Sequence, residues 1–359
     1  MSSTTIPTTQ KALLLPSKGG ALSIEPFPVP TLGSGEVLVR LAAAALNPID
    51  VAMQMFGLFI EVFPAVIGCD GAGEIVAIGE GVEGFSAGDR VAVQGTIDMM
   101  KKEIHGTYAQ YVATPAKFLI KLPDSVSFDA GATMPCTLPT AALVLYNKDE
   151  NVTGPRLDAP WTPGGRGKYA GKAAVVLGGS SSVGQYAIQF ARLSGFSPIV
   201  ATASPAHAAH LTALGATHVL DRALPAADLE AAARALAPAA GFALAFDAVS
   251  LPETLPLGYA LAADGADLVV VSPPGTLGEG ERKTVKVHMA RGLLAIPTNA
   301  AVVEELLGAL PGMLAAGDVK PNPVEVLEGG LAGVPGGLER VKMKQVSGVK
   351  LVVHPQATA

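Results

Sequence analysis

The sequence predicts an α/β chain of two domains, a β-rich unit followed by a doubly wound parallel sheet. Three observations predict it. At 359 residues the chain is long for a single core. Near residue 130 the apolar spacing changes from strand-like alternation to strands separated by helical stretches. The apolar strand AAVVL at 173–177 runs into the turn GGSSSVG and then into a helical stretch that ends at Gly195.

Up to about residue 125 the segments KALLLP, GEVLVRLAAAALN, AGEIVAIGEGV, DRVAVQG, TYAQYVATP and FLIKLP read as short strands punctuated by turns, a compact twisted β unit. Next come AAVVLG, SPIVATAS, THVLD, FALAFDAV and ADLVVVS, each followed by helical or turn sequence, as in a parallel sheet covered on both faces. Residues 147–172, NKDENVTGPRLDAPWTPGGRGKYAGK, are polar and rich in Pro and Gly and read as a long loop. Its lone Trp161 either covers a binding cleft or anchors the loop. AAVVEELLGALPGMLAAG has helical period, and the last strand, VKLVV, returns with it to the first domain. The expected domains are 1–130 with 300–359, and 131–299.

Composition narrows the function classes. With 49% hydrophobic and 16% charged residues the chain is globular rather than disordered. The net charge is −6 and lysine and arginine form no stripe, which argues against nucleic acid as a partner. No apolar run reaches the roughly 18 residues of a membrane span, and MSSTTIPTTQK lacks a signal core, so a soluble, cytoplasmic protein is expected. Cys69 and Cys136 are far apart, with no Cys or His at metal spacing beside either, which excludes a disulfide framework or structural zinc site. His207 and His210 share a helical face but lack a third ligand; no metal is expected.

The turn after the strand is the candidate nucleotide site. Gly179, Ser181 and Gly184 occupy the three positions of a G-x-G-x-x-G fingerprint, with serine in the middle. Ser180, Ser181 and Ser182 are expected to act as a hydroxyl-rich glycine turn, with Val183 and Gly184 opening the helix whose free N–H groups hold an anion. The second strand ends at Ala203-Ser204-Pro205 without the usual acid for ribose hydroxyls. An acid there would repel a 2′-phosphate, so NADPH is favoured over NADH. Ser204, His207 and Arg222 are candidate phosphate partners, Arg222 foremost because guanidinium pairs bidentately with phosphate; the alternative for Arg222 and His207 is an ordinary surface role.

LNPIDVAMQ at 46–54, FPAVIGCDGAGEIVAIGEGVEGFSAGDRV at 63–91, GTYAQYV at 106–112, LPTAALVLY at 138–146, GGSSSVGQYAIQ at 178–189, LGATHVLD at 214–221 and SGVKLVV at 347–353 carry a resemblance from end to end. The chain resembles the medium-chain dehydrogenase/reductase superfamily, in particular its zinc-independent quinone-oxidoreductase and enoyl-reductase branch. The long loop followed by GGSSSVG is most similar to fungal stand-alone and trans-acting enoyl reductases of polyketide pathways. The resemblance implies a GroES-like substrate domain, a Rossmann domain and a nicotinamide cleft between them. Gly68-Cys69-Asp70 stands where zinc-dependent relatives carry Gly-His-Glu, so alcohol oxidation would lack its Lewis acid.

Reduction of a polarised C=C bond does not need the metal. In an enone, enoyl thioester or quinone the carbonyl draws electrons, NADPH can deliver hydride to the β-carbon, and the protein must donate to the oxygen that gathers charge. The resemblance places Asn47 and Asp50 at the cleft; Asn47 is a donor or a turn cap, Asp50 a structural or ribose-contacting group. It places Thr140 near the nicotinamide ring and offers Tyr108 as a proton donor. Fungal relatives often have lysine two residues after the aspartate; here Ala52 stands there, leaving water, a ribose hydroxyl or a tyrosine to supply the proton. Val249 and Ser272 end strands at the usual binding edge, and Lys350 either reaches the cofactor or serves a sheet edge. Met53, Met55, Phe56, Leu58, Phe59 and Ile60 suggest an apolar pocket for a small hydrophobic unsaturated carbonyl or quinone.

The leading expectation is an NADPH-dependent reductase of α,β-unsaturated carbonyls. Quinone reduction is the near alternative. A cofactor-binding scaffold or polyketide-synthase partner with little catalysis is the alternative of another class. Substrate identity stays open, as does monomer against homodimer.

Overall fold

The computed structural model describes residues 6–98, 100, 103–273 and 284–359; the first five residues of the N-terminal stretch MSSTTIPTTQK lie outside them. The chain divides into two compact units, Met1–Cys136 with Leu310–Ala316 and Pro321–Ala359, and Thr137–Ala309 with Gly317–Lys320. The first unit therefore runs to 136 rather than 130, and its return begins at 310 rather than 300, inside a helix that the sequence pattern shows as one piece.

The first unit opens with β1 (Thr9–Leu15), β2 (Ser23–Pro28), β3 (Glu36–Ala45), helix α1 (Pro48–Phe56), β4 (Ala65–Val66), β5 (Asp70–Ile78), β6 (Arg90–Gln94), β7 (Thr96–Asp98), β8 (Glu103–His105), β9 (Tyr111–Pro115), β10 (Ile120–Lys121) and the single turn α2 (Phe128–Gly131). One sheet has the order β2-β1-β4-β8-β7. Val37, Val39 and Leu41 sit at the two-residue period of one strand face and meet Ile75, Val91, Val93 and Val112 in a buried cluster. The strand pattern in the sequence does not show β2, β4, β7 and β8. β2 reads SIEPFP, and its two prolines are tolerated because it lies at a sheet edge.

The second unit opens with α3 (Thr137–Tyr146), then β11 (Ala174–Leu177), α4 (Ser182–Ser194), β12 (Ile199–Ala203), α5 (Ala208–Leu214), β13 (His218–Asp221), α6 (Ala226–Leu236), β14 (Phe242–Asp247), α7 (Leu255–Leu261), β15 (Ala262–Val270), β16 (Lys286–Met289) and α8 (Ala300–Ala315). Its strands are all parallel in the order β13-β12-β11-β14-β15-β16, the doubly wound arrangement whose direction reverses between β11 and β14. β11 is buried along its whole length, as its unbroken apolar run requires.

Within 147–172 the loop is tied down. The Trp161 ring packs edge-on against Tyr146, 5.0 Å between centroids, and against Phe190 of α4 at 6.1 Å. Asp158 holds both Lys148 and Lys168. Of the two roles left open for Trp161, these contacts show the anchoring one.

The chain returns to the first unit through β17 (Val324–Val326), α9 (Val334–Lys342) and β18 (Lys350–Val353). β18 pairs antiparallel with β3 and parallel with β17, in the order β10-β6-β5-β3-β18-β17. It is thus an interior strand, and a sheet-edge role for Lys350 is corrected.

Candidate active site

The turn that leaves β11 lies at the reversal point of the parallel sheet. Gly178, one residue ahead of the glycine taken as the start of the fingerprint, makes the left-handed step with φ +69°. A Cβ there would come within 2.1 Å of Val249 Cγ2, so Val249 lies directly against the turn from the end of β14. At Gly184 a Cβ would stand 2.3 Å from the Gly178 carbonyl oxygen, and at Gly179 2.9 Å from Ala201 Cβ. The start of α4 is thereby drawn onto the turn, leaving a cradle of backbone with no room for added side chains.

Ser181 is the N-cap of α4: its Oγ accepts the Gly184 N–H at 3.0 Å and lies 3.5 Å from the Ala248 carbonyl. The hydroxyl therefore has a structural task besides the phosphate contact expected of it. Val183, at the second helical position, has no intrahelical acceptor for its N–H. The Ser180 carbonyl is held by Gln185 Nε2 at 3.1 Å, and Gln185 Oε1 meets His210 at 2.9 Å.

Thr202 stitches the turn to β12, its Oγ1 accepting the Gly178 N–H and its carbonyl the Gly179 N–H. Where β12 ends, the Arg222 N–H donates to the Ala203 carbonyl at 3.0 Å, which brings Arg222 beside Ser204. The Arg222 side chain is exposed, and half-buried His207 closes the short turn that Ser204 begins. Asp247 fixes the opposite strand end: its buried carboxylate accepts the N–H groups of Val249 and Ser250 and the Thr254 hydroxyl. Burial pushes the Asp247 carboxyl up, and those hydrogen bonds oppose the shift. Ser272 follows the end of β15, half-buried.

The fold implies a nicotinamide dinucleotide, and the turn fits one. Its glycines let β12, β14 and the start of α4 close on the turn, and the Val183 N–H at that helix start has no intrahelical acceptor, as an anion site requires. Ser204 and Arg222 follow the ends of β12 and β13.

A second constellation lies wholly in the first unit. Asn47 is the N-cap residue of α1, with Pro48 following. Its backbone N–H donates to Asp50 Oδ2 at 2.8 Å, and the Tyr108 hydroxyl donates to the same oxygen at 2.7 Å. The Asn47 side-chain amide donates to Asp70 Oδ2 at 2.9 Å and accepts from Lys350 Nζ at 2.7 Å. Lys350 also pairs with the Asp70 carboxylate and reaches the Thr133 carbonyl at 3.5 Å, while the Cys136 N–H takes the other Asp70 oxygen at 2.6 Å. Asn47, Asp50, Asp70, Tyr108 and Lys350 are all buried.

These contacts revise two expectations. The Lys350 ammonium meets three protein acceptors, so a reach to the cofactor would cost it one of them. The Tyr108 hydroxyl donates its hydrogen bond to Asp50, and burial followed by the Asp50 charge holds it well above the usual phenol range, which makes it a poor acid. Asp50 Oδ1 is buried without a partner. Burial, with Asp70 nearby, pushes the Asp50 carboxyl up to about 6, against the hydrogen bond from Tyr108.

Thr140 is the one residue of α3 that is not buried. A Cβ on Gly292 would stand 2.1 Å from its hydroxyl oxygen, so the 290s loop lies against Thr140, a contact between segments some 150 residues apart that no local pattern signals. Cys69 and Cys136, remote in sequence, share a thiol hydrogen bond, and that bond and burial push the Cys69 thiol up. Among the described residues, no group of three or more His, Cys, Asp and Glu is arranged to hold a metal ion. The apolar run after Asp50 divides: Met53 and Ile60 are buried, while Met55, Phe56 and Leu58 are exposed.

Comparison with known proteins gives these sites a family. Residues 33–124 match the model of the alcohol dehydrogenase GroES-like domain, and residues 182–294 that of zinc-binding dehydrogenases. The chain is 34% identical to the trans-enoyl reductase caaB of Aspergillus niger, covering 97% of each protein. It is 32% identical to the dehydrogenase orsE of Emericella nidulans, covering 96% of this chain and 99% of that one. The fold is also that of a quinone oxidoreductase from Pseudomonas syringae, with a TM-score of 0.75 and 24% identity over 96% of this chain and 99% of that one. With a glycine-turn dinucleotide fold, a GroES-like unit and relatives of full length, the chain belongs to the medium-chain dehydrogenase/reductase superfamily, in its quinone-oxidoreductase and enoyl-reductase branch.

Proposed function

We infer that the protein is an NADPH-dependent reductase of the polarised C=C bond in an α,β-unsaturated carbonyl, an enoyl thioester foremost. The observation that carries the reaction class is identity above 30% along essentially the whole chain to proteins named trans-enoyl reductases. Choice of NADPH is supported by the residues at the end of β12, Ala203 and Ser204, neither of them acidic, and by Arg222, whose backbone N–H is held by the Ala203 carbonyl.

The bound dinucleotide would supply the hydride. The Gly178–Gly184 turn and the Val183 N–H would hold its pyrophosphate, and Ser204 and Arg222 its adenosine phosphate. Asn47, held by Asp70 and Lys350, is the candidate donor to an acceptor oxygen, and Thr140 the candidate hydroxyl at the nicotinamide end. Ser272, Val249 and His207 would border the cofactor, and the exposed Met55, Phe56 and Leu58 favour an apolar substrate. With Tyr108 committed to Asp50 and Ala52 in place of lysine, protonation at the α-carbon falls to water or a ribose hydroxyl.

Loss of NADPH absorbance with a crotonyl thioester, cyclohexenone and benzoquinone tests the reaction. Saturated product from the thioester or the enone is expected; turnover of the quinone alone would make the protein a quinone reductase, and tight NADPH binding without turnover a scaffold. Arg222→Ala should raise the KM for NADPH by about tenfold to a hundredfold and leave that for NADH unchanged, since one charge-assisted phosphate contact is worth about 1.5–3 kcal/mol. Equal effects on the two cofactors would remove Arg222 from the phosphate site.

A further inference from the structure

Asn47, Asp70 and Lys350 form a closed ring of hydrogen bonds. Lys350 Nζ donates to Asn47 Oδ1, the Asn47 Nδ2 group donates to Asp70 Oδ2, and Lys350 donates to that same Asp70 oxygen. The side chains come from the N-cap of α1, the first residue of β5 and the first residue of β18. All three are buried, Asp70 and Lys350 with 0% and 3% of their surfaces exposed. The ring has one allowed sense. Turning the amide over would face its NH₂ group to an ammonium and its oxygen to a carboxylate, breaking two charge-assisted bonds where water cannot replace them.

We propose that Lys350 is a positioning residue: with Asp70 it fixes the sense of the Asn47 amide, so that Asn47 meets any further group only as an N–H donor. The amide oxygen is taken by Lys350. Of the two N–H groups on Nδ2, Asp70 needs one, which leaves the second for an acceptor oxygen. A carbonyl oxygen gathering negative charge is such an acceptor, and a donor fixed in advance costs no reorganisation when that charge develops. The neutral amide is thereby given the one-way character of a cation without its charge. This rests on the reading of Asn47 as the donor of a reductase, and the test separates the two.

The ring itself is read without turnover. In full-length protein labelled with ¹⁵N-asparagine, the Asn47 side-chain amide, identified by its loss in Asn47→Asp, should show one strongly deshielded, slowly exchanging proton. Lys350→Met should abolish this signature and Lys350→Arg retain it. Because Lys350→Met leaves Asp70 uncompensated, the neutral pair Lys350→Met with Asp70→Asn provides a second variant that releases the amide without a buried lone charge. An Asn47 signal unmoved in either variant would overturn the proposal.

The functional half is a double-mutant cycle on kcat/KM for the crotonyl thioester. Asn47→Ala should cost about a hundredfold, Lys350→Met about tenfold, and the two together no more than Asn47→Ala alone. Additive losses would mean that Lys350 acts on the fold and not through Asn47, overturning the proposal. A released amide with turnover unchanged in Asn47→Ala would leave the ring standing and remove Asn47 from the reaction.

Discussion

Asp50 is fully buried beside a like-charged neighbour, Asp70, and its carboxyl titrates at about 6 against an ordinary 3.8. Because the folded state holds the proton more tightly than the unfolded chain, Asp50 contributes stability that is complete below pH 4 and is lost as the pH rises through about 6. The loss at neutral pH amounts to about 3 kcal/mol, since each tenfold gain in proton affinity is worth about 1.4 kcal/mol. Asp50→Asn keeps an oxygen for the Tyr108 hydroxyl and the Asn47 N–H, so urea unfolding of this variant should lose the decline between pH 4 and 6 that the wild type shows. Parallel curves would show that Asp50 is not the group responsible. At Ser181, alanine should remove the N-cap of α4 and cost about 1 kcal/mol in the same measurement. A weaker NADPH affinity in that variant would therefore arrive together with a weaker fold, not ahead of it.

At the scale of elements, the β11–turn–α4 unit was largely legible because its signals are local. An apolar run, a glycine turn, a serine cap and the left-handed Gly195 that closes α4 all lie within some twenty consecutive residues. Even there, which glycine makes the turn depends on Val249 and Ala201, which come from other strands. Gly184→Ala should push α4 off the turn, costing about 2 kcal/mol or more and reducing NADPH affinity together, as thermal unfolding and a binding titration would show. The 147–172 loop was legible as a loop but not as an anchored one, because its hold depends on where the Tyr146 and Phe190 rings lie. Trp161→Ala should make proteolysis within 147–172 markedly faster while the core of the second unit stays intact; an unchanged cleavage pattern would deny the anchor.

For the whole molecule, class and order of the two units follow from the change of period near residue 130, but the Asn47–Asp70–Lys350 ring does not. Lys350 lies 303 positions from Asn47 and 280 from Asp70, and a sequence pattern carries no record of which distant polar groups share a burial site. The same applies to Cys69 and Cys136, whose meeting depends on the path that brings 136 back to 69. Ending the chain after residue 346 should leave the first unit without an interior strand and without the cation that neutralises Asp70, so soluble yield and cooperative unfolding should collapse; a truncated protein that melts like the full one would contradict the role given to β18. The late arrival of that strand sets a timetable on the ribosome. The second unit emerges before β18 is made, whereas β3 must wait with an open edge until β18 has left the exit tunnel, the interval in which a holding chaperone or a neighbouring nascent chain can reach it.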